Sequence, residues 1–104
     1  MTTDPPTQPT PSSEVFISYA SQDAAVANAI VKALERTGIK CWIAPRDVRP
    51  GSVYADAIVG AINDSKALVL VLSANAMPSA HVGREVERAA SKHKQLIAFR
   101  VDTA

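Results

Sequence analysis

Ala67-Leu68-Val69-Leu70-Val71-Leu72 sets six apolar side chains in a row with no polar residue between them. A strand with one wet face alternates apolar and polar positions. A strand covered by helices on both faces does not, so this run reads as the central strand of a parallel sheet. Working outward, the same logic recurs. Upstream, Ser52 opens a helix with Val53, Ala57, Ile58, Ala61 and Ile62 as its apolar stripe, preceded by a strand over Ile39–Ala44. Before that, Val26, Ile30 and Leu34, with Ala33 beside them, mark a helix that stops at Gly38, and Val15-Phe16-Ile17-Ser18-Tyr19 forms the first strand. Downstream, Pro78 and Ser79 precede a helix with Val82, Val86, Ala89 and Ala90 on one side, and Leu96–Val101 is the last strand. Strands alternating with helices through the chain predict an α/β domain with a flavodoxin-like, doubly wound parallel sheet of four strands and three helices.

Bulk properties narrow the function. The 104 residues suffice for one domain. A formal charge of +1 lacks the clustered basic excess of a nucleic-acid binder, so no nucleic-acid partner is expected. Cys41 is the single cysteine and cannot form an internal disulfide, which suits a reducing, cytoplasmic setting. No apolar run is long enough to cross a bilayer, and the N-terminus lacks an export signal, so no membrane segment is expected. Residues 1–13 hold four prolines and four threonines with no large apolar residue after Met1, and are expected to be a disordered tail ahead of a domain over 14–104.

In open parallel sheets ligands bind beyond the carboxyl ends of the strands. The loops at 18–23, 44–51 and 73–81 are therefore the ones to read for chemistry. Familiar α/β chemistries are missing from them. No acid cluster ends the first strand, no glycine-rich phosphate loop follows it, and no Ser-His-Asp or Cys-His order stands out. Metal binding is not expected, because His81 has no second ligand at suitable spacing. What the loops do hold is Arg46-Asp47-Val48-Arg49-Pro50-Gly51, poor core material placed directly after a buried strand, where Pro50 fixes the backbone and Gly51 permits an unusual turn. Arg46 and Arg49 have forks suited to phosphate oxygens, although an Arg46–Asp47 surface pair is the plain alternative. On the third helix, His81, Glu85 and Arg88 are spaced to share one face, with Glu87 on another. A solvated surface glutamate is the ordinary reading of Glu85 by itself, as a core or rim aromatic is of Trp42, and a helix cap of Ser21 and Asp23.

Three stretches together change that balance. Phe16-Ile17-Ser18-Tyr19-Ala20-Ser21-Gln22-Asp23, the Arg46-Asp47-x-x-Pro50-Gly51 loop and Arg84-Glu85-Val86-Glu87 resemble the Toll/interleukin-1 receptor (TIR) domain family, of a bacterial type found at the front of larger defence or signalling proteins. The resemblance spans Glu14 to Asp102. It implies that NAD+ is a substrate and not a bound cofactor, cleaved at the nicotinamide–ribose bond, with Glu85 as the catalytic carboxylate. Ser18, Tyr19, Trp42, Arg46 and Asp47 would line the pocket, with His81 as a neighbour where the family frequently carries tryptophan. Arg46, Asp47, Val48, Arg49, Pro50 and Gly51 would correspond to the BB loop, a contact surface for self-association. The family usually continues into a fifth strand, a last helix and a third box. Their absence suggests a C-terminally truncated domain from a longer parent protein. A non-catalytic TIR–TIR interaction module is the alternative that the same resemblance allows.

Overall fold

The computed structural model describes residues 13–102; the expected tail over residues 1–13 therefore lies outside the described residues except for Ser13. Four parallel strands, β1 (Val15–Ser18), β2 (Cys41–Trp42), β3 (Ala67–Leu72) and β4 (Gln95–Arg100), stand in the order β2-β1-β3-β4. They alternate with α1 (Ala24–Arg36), α2 (Tyr54–Asp64) and α3 (Ala80–Ser91). The chain winds outward from β1 to β2, then crosses back to β3 and outward to β4. Right-handed crossovers in opposite directions put α1 on one face and α2 with α3 on the other. The doubly wound, flavodoxin-like fold expected from the sequence is the fold observed.

Each face of the sheet has its own core, as strand periodicity requires. Ile17, Ile43, Val69 and Val71 pack with Ala27 and Val31 of α1, while Phe16 and Leu68 pack with Ile62 of α2 and Ala89 of α3. The register Phe16↔Leu68, with Ser18 opposite Leu70, puts Phe16 and Ser18 on the α2/α3 side of β1. Phe16 is also stacked on Trp42, with ring centroids 5.2 Å apart and planes 10° from parallel.

Several details differ from the sequence reading. The buried line of α1 runs through Ala27, Ile30, Val31 and Leu34, not Val26, which is 38% exposed. Counting from Val26 followed the larger side chain and passed over a fully buried alanine. Val53 is not part of the α2 stripe; it is 63% exposed and precedes the first turn. Ala90 faces solvent at the end of α3. β2 has two residues instead of six, because Pro45 has no N–H for a ladder and residues 44–47 form turns held by Asp47 N–H donating to Ile43 O. The outer strand β4 is exposed along its whole length, with Leu96, Ile97 and Phe99 all in contact with solvent. Among the described residues no helix is long and apolar enough to cross a membrane.

Candidate active site

The topology reverses between β1 and β3, and a crevice at such a switch point is where doubly wound sheets bind ligands. Two sequence features populate it. β1 ends on a small polar residue, Ser18, and α3 begins directly after the loop that leaves β3. Ser79 caps α3, its hydroxyl oxygen accepting from Val82 N–H at 3.3 Å. One and a half turns into the helix, Glu85 points back over the end of β1. Ser18, fully buried, donates its hydroxyl hydrogen to Glu85 Oε1 at 2.8 Å.

Burial pushes the Glu85 carboxyl above the ordinary glutamate range, while the Ser18 hydroxyl, His81 and Arg84 pull it the other way without overcoming the loss of water. His81, one turn before Glu85, spans the crevice. Its Nε2 lies 3.1 Å from Tyr19 O and its Nδ1 lies 3.1 Å from Ser79 Oγ. A carbonyl oxygen only accepts, so Nε2 carries the hydrogen; in the neutral ring Nδ1 then accepts from Ser79. The imidazole thereby ties the first turn of α3 to the end of β1. Tyr19 donates its hydroxyl hydrogen to Ala44 O, fastening the root of the loop that follows β2. Burial, then Tyr54 and Glu85, push its phenol up.

Two connected spaces open from this point. A small cavity of about 120 Å³ is lined by Tyr19, Ser21, Tyr54, Ile58, His81 and Glu85, among others. It opens into a groove of about 870 Å³ between α2 and α3, which shares Tyr54, Ile58, His81 and Glu85 and runs on past Arg84 and Arg88. The groove falls in the size class of small-molecule sites, and its mixed apolar and charged walls suit an amphipathic ligand.

Of the sequence-predicted residues, Ser18, Tyr19, His81 and Glu85 therefore come together. Trp42, Arg46 and Asp47 do not join them. Trp42 packs half-buried on Phe16 in the core. Arg46 is consumed by structure: its guanidinium forms a fork with Glu35, at 3.0 Å to Oε1 and 2.8 Å to Oε2, and also donates to Asp47 and to Cys41 O. Asp47 Oδ2 in turn accepts Ile43 N–H at 2.9 Å. This knot ties the loop to α1 and engages the Arg46 fork with two carboxylates and a carbonyl, with which a phosphate would have to compete. Beyond it Val48 is half-buried, Arg49, Pro50 and Gly51 are exposed, and Gly51 takes φ 83, a conformation glycine adopts without steric penalty.

Asp23 likewise gives no side-chain cap to α1. Its carboxylate accepts from Ser73 Oγ and from Asn75 Nδ2, holding the loop after β3 against the start of α1. Cys41 is buried and its thiol is pushed up to about 11, mainly by loss of water, so it is no nucleophile at neutral pH. Among the described residues no group of three His, Cys, Asp or Glu could hold a metal.

A family model described as the TIR domain matches residues 15–104. The chain belongs to the TIR-domain family. A curated relative, the stimulator of interferon genes protein of Magallana gigas, is 40% identical over 65 residues, 62% of this chain but 16% of that protein. Among solved structures, the TIR domain of the Toll-related receptor TRR-2 from Hydra magnipapillata superposes with a TM-score of 0.74 at 31% identity, covering 86% of this chain and 73% of that one. A metazoan TIR-STING receptor from C. gigas gives 0.71 at 30% identity, covering 84% of this chain and 30% of that one. This TIR domain thus spans a small fraction of the curated relative it matches. These two solved TIR domains are metazoan, and they do not bear out the bacterial type expected above.

Sequence reading of this TIR domain put Arg88 on the Glu85 face without a role and missed Tyr54 and Arg84 as groove residues. A signal for the arginines was present. Arg84 and Arg88 stand four apart on α3, so they share a face, and they bracket Glu85. Tyr54 had no comparable signal, since a tyrosine in the first turn of an amphipathic helix is commonplace.

Proposed function

We propose that this domain is an NAD+ glycohydrolase, cleaving the nicotinamide–ribose bond and acting in signalling or defence on self-association, within a longer cytoplasmic protein. The observation that carries the reading is Glu85: a carboxylate half-sheltered at the topological switch point, hydrogen-bonded to buried Ser18, at the junction of a small cavity and a long groove. In the reaction the bond from ribose C1′ to the pyridinium nitrogen breaks and its electron pair leaves with neutral nicotinamide. The oxocarbenium-like centre left at C1′ is stabilised or attacked by Glu85. Water then supplies hydroxide to C1′ and releases a proton, giving ADP-ribose.

The raised Glu85 carboxyl suits that sequence. The cationic nicotinamide ring favours ionisation as it enters, so the full negative charge develops where positive charge needs it. No cofactor is required, because NAD+ is the substrate. The test is NAD+ consumption by the full-length or deliberately oligomerised protein against its Glu85→Gln variant. Rates that match would remove Glu85 from the chemistry.

A second reading, a TIR–TIR interaction module without catalysis, is favoured by a different observation. Pro50 and Gly51 are exposed beside Val53 and Tyr54, which are 63% and 56% exposed, a continuous surface on the loop and the start of α2. On this reading Pro50→His abolishes association while NAD+ levels stay constant.

A further inference from the structure

We propose that Arg84 and Arg88 form the diphosphate subsite of the α2/α3 groove, holding a dinucleotide so that its ribosyl bond lies at Glu85. This rests on the NAD+ reading above and moves the anion contact from the loop after β2 to α3. Three observations carry it.

The first is that the loop arginine is already taken. Arg46 donates from all three of its guanidinium nitrogens to Glu35, Asp47 and Cys41 O, and those carboxylates would repel a phosphate. The second is that the α3 arginines are not. Among the described residues neither guanidinium makes a hydrogen bond or a close ion pair; Arg84 is exposed and only its field reaches Glu85, and Arg88 is half-buried. A half-sheltered guanidinium without an acceptor has lost water and gained nothing, which a phosphate oxygen pair repairs with a bidentate contact.

The third is placement. Both arginines line the same groove as Glu85, one turn apart, and Arg88 lies only about 4.5 Å beyond Glu85 along the helix axis. In a nicotinamide dinucleotide the diphosphate follows one ribose after the scissile bond. A ring in the small cavity beside Tyr19 and a ribose at Glu85 therefore bring the diphosphate to these forks, and the remaining nucleoside extends along the groove wall toward Ser91. Glu87 also lines the groove. With Glu85 it limits the positive field, so affinity depends on the two forks as specific contacts and not on general basic charge.

The experiment is titration calorimetry on the full chain carrying Glu85→Gln, which prevents turnover, with NAD+, ADP and nicotinamide riboside as probes. Arg84→Gln and Arg88→Gln are each expected to weaken NAD+ and ADP by roughly tenfold, the scale of one charge-assisted pair, and to leave the phosphate-free riboside unchanged. Equal loss for all three probes, no loss for any, or no detectable binding of NAD+ and ADP overturns the assignment. The two claims fail separately. Arginine-dependent ADP binding by a protein that never cleaves NAD+ keeps the subsite and removes the hydrolase. Glu85-dependent cleavage with a KM indifferent to both substitutions keeps the hydrolase and removes the subsite.

Discussion

Ser18 Oγ and Glu85 Oε1 lie 2.8 Å apart, joining the last residue of β1 to the middle of α3 across the switch point of the sheet. Ser18 is completely buried, so its hydroxyl has no water to turn to, and Glu85 is its acceptor. Hydrogen bonds to charged groups contribute about 1.5–3 kcal/mol, and a buried acceptor left bare costs on a similar scale. Ser18→Ala is therefore expected to lower stability by about 1–3 kcal/mol and to raise the Glu85 carboxyl further, since the hydroxyl is the strongest influence lowering it. Urea denaturation and an NMR titration of the Glu85 side chain check both parts. A carboxyl that titrates identically in the two proteins contradicts the contact.

Glu85 also ties stability to pH. Its folded carboxyl is raised above the ordinary value of 4.5, so the folded chain binds that proton more tightly than the unfolded chain. The resulting stability is fully present below pH 4.5 and is lost as pH rises from there through the raised folded value. Glu85→Gln stays neutral throughout and has no such loss. The difference in urea midpoint between Glu85→Gln and wild type should thus grow in favour of the variant from pH 4 upward and then level off. Glu35, which its hydrogen bonds to Arg46 hold below the usual carboxylate range, acts in the opposite sense but equally in both proteins. Parallel midpoint curves would show that Glu85 is not desolvated.

Legibility in the sequence followed the range of the physical signal. The apolar run of β3 and the alternation of elements are strong local patterns, and the topology they imply is the one adopted. Ser18, Tyr19, His81 and Glu85 were legible as neighbours because strand ends and the following helix start must meet at the switch point. The surroundings of Arg46 were not legible, for a reason equally physical. Its chemistry invites phosphate, but whether a guanidinium is free depends on a partner eleven residues upstream, Glu35, and no spacing rule announces that pair. The groove arginines were harder still, because a cavity between α2 and α3 belongs to packing and not to either helix alone.

The Arg46 knot gives its own prediction. The Arg46 and Glu35 side chains are 43% and 38% exposed, so solvent screens the fork and its contribution is about 1 kcal/mol. A Glu35→Ala/Arg46→Ala double-mutant cycle should return a coupling of that order at low salt and less at high salt. Arg46→Lys keeps the charge but loses the fork, and should resemble Arg46→Ala in stability. None of these changes is expected to alter NAD+ affinity beyond twofold or so. A large loss of affinity in Arg46→Lys with stability unchanged would return this residue to the binding site.

Trp42 separates core from pocket most cleanly. It stacks on Phe16 over Leu68 and Ile62, beneath the sheet surface that α2 and α3 cover. Replacing a buried aromatic by alanine opens a cavity and costs about 3–5 kcal/mol, with the lower end fitting a half-buried ring. A phenylalanine keeps the stacking partner and most of the apolar volume, and should cost less than about 1.5 kcal/mol. Trp42→Phe is therefore expected to leave NAD+ affinity and any NAD+ cleavage per folded molecule unchanged, while Trp42→Ala unfolds in far less urea. Were the ring a substrate platform, Trp42→Phe would lose affinity for the dinucleotide with its unfolding midpoint intact, and the assignment of Trp42 to the core would have to be given up.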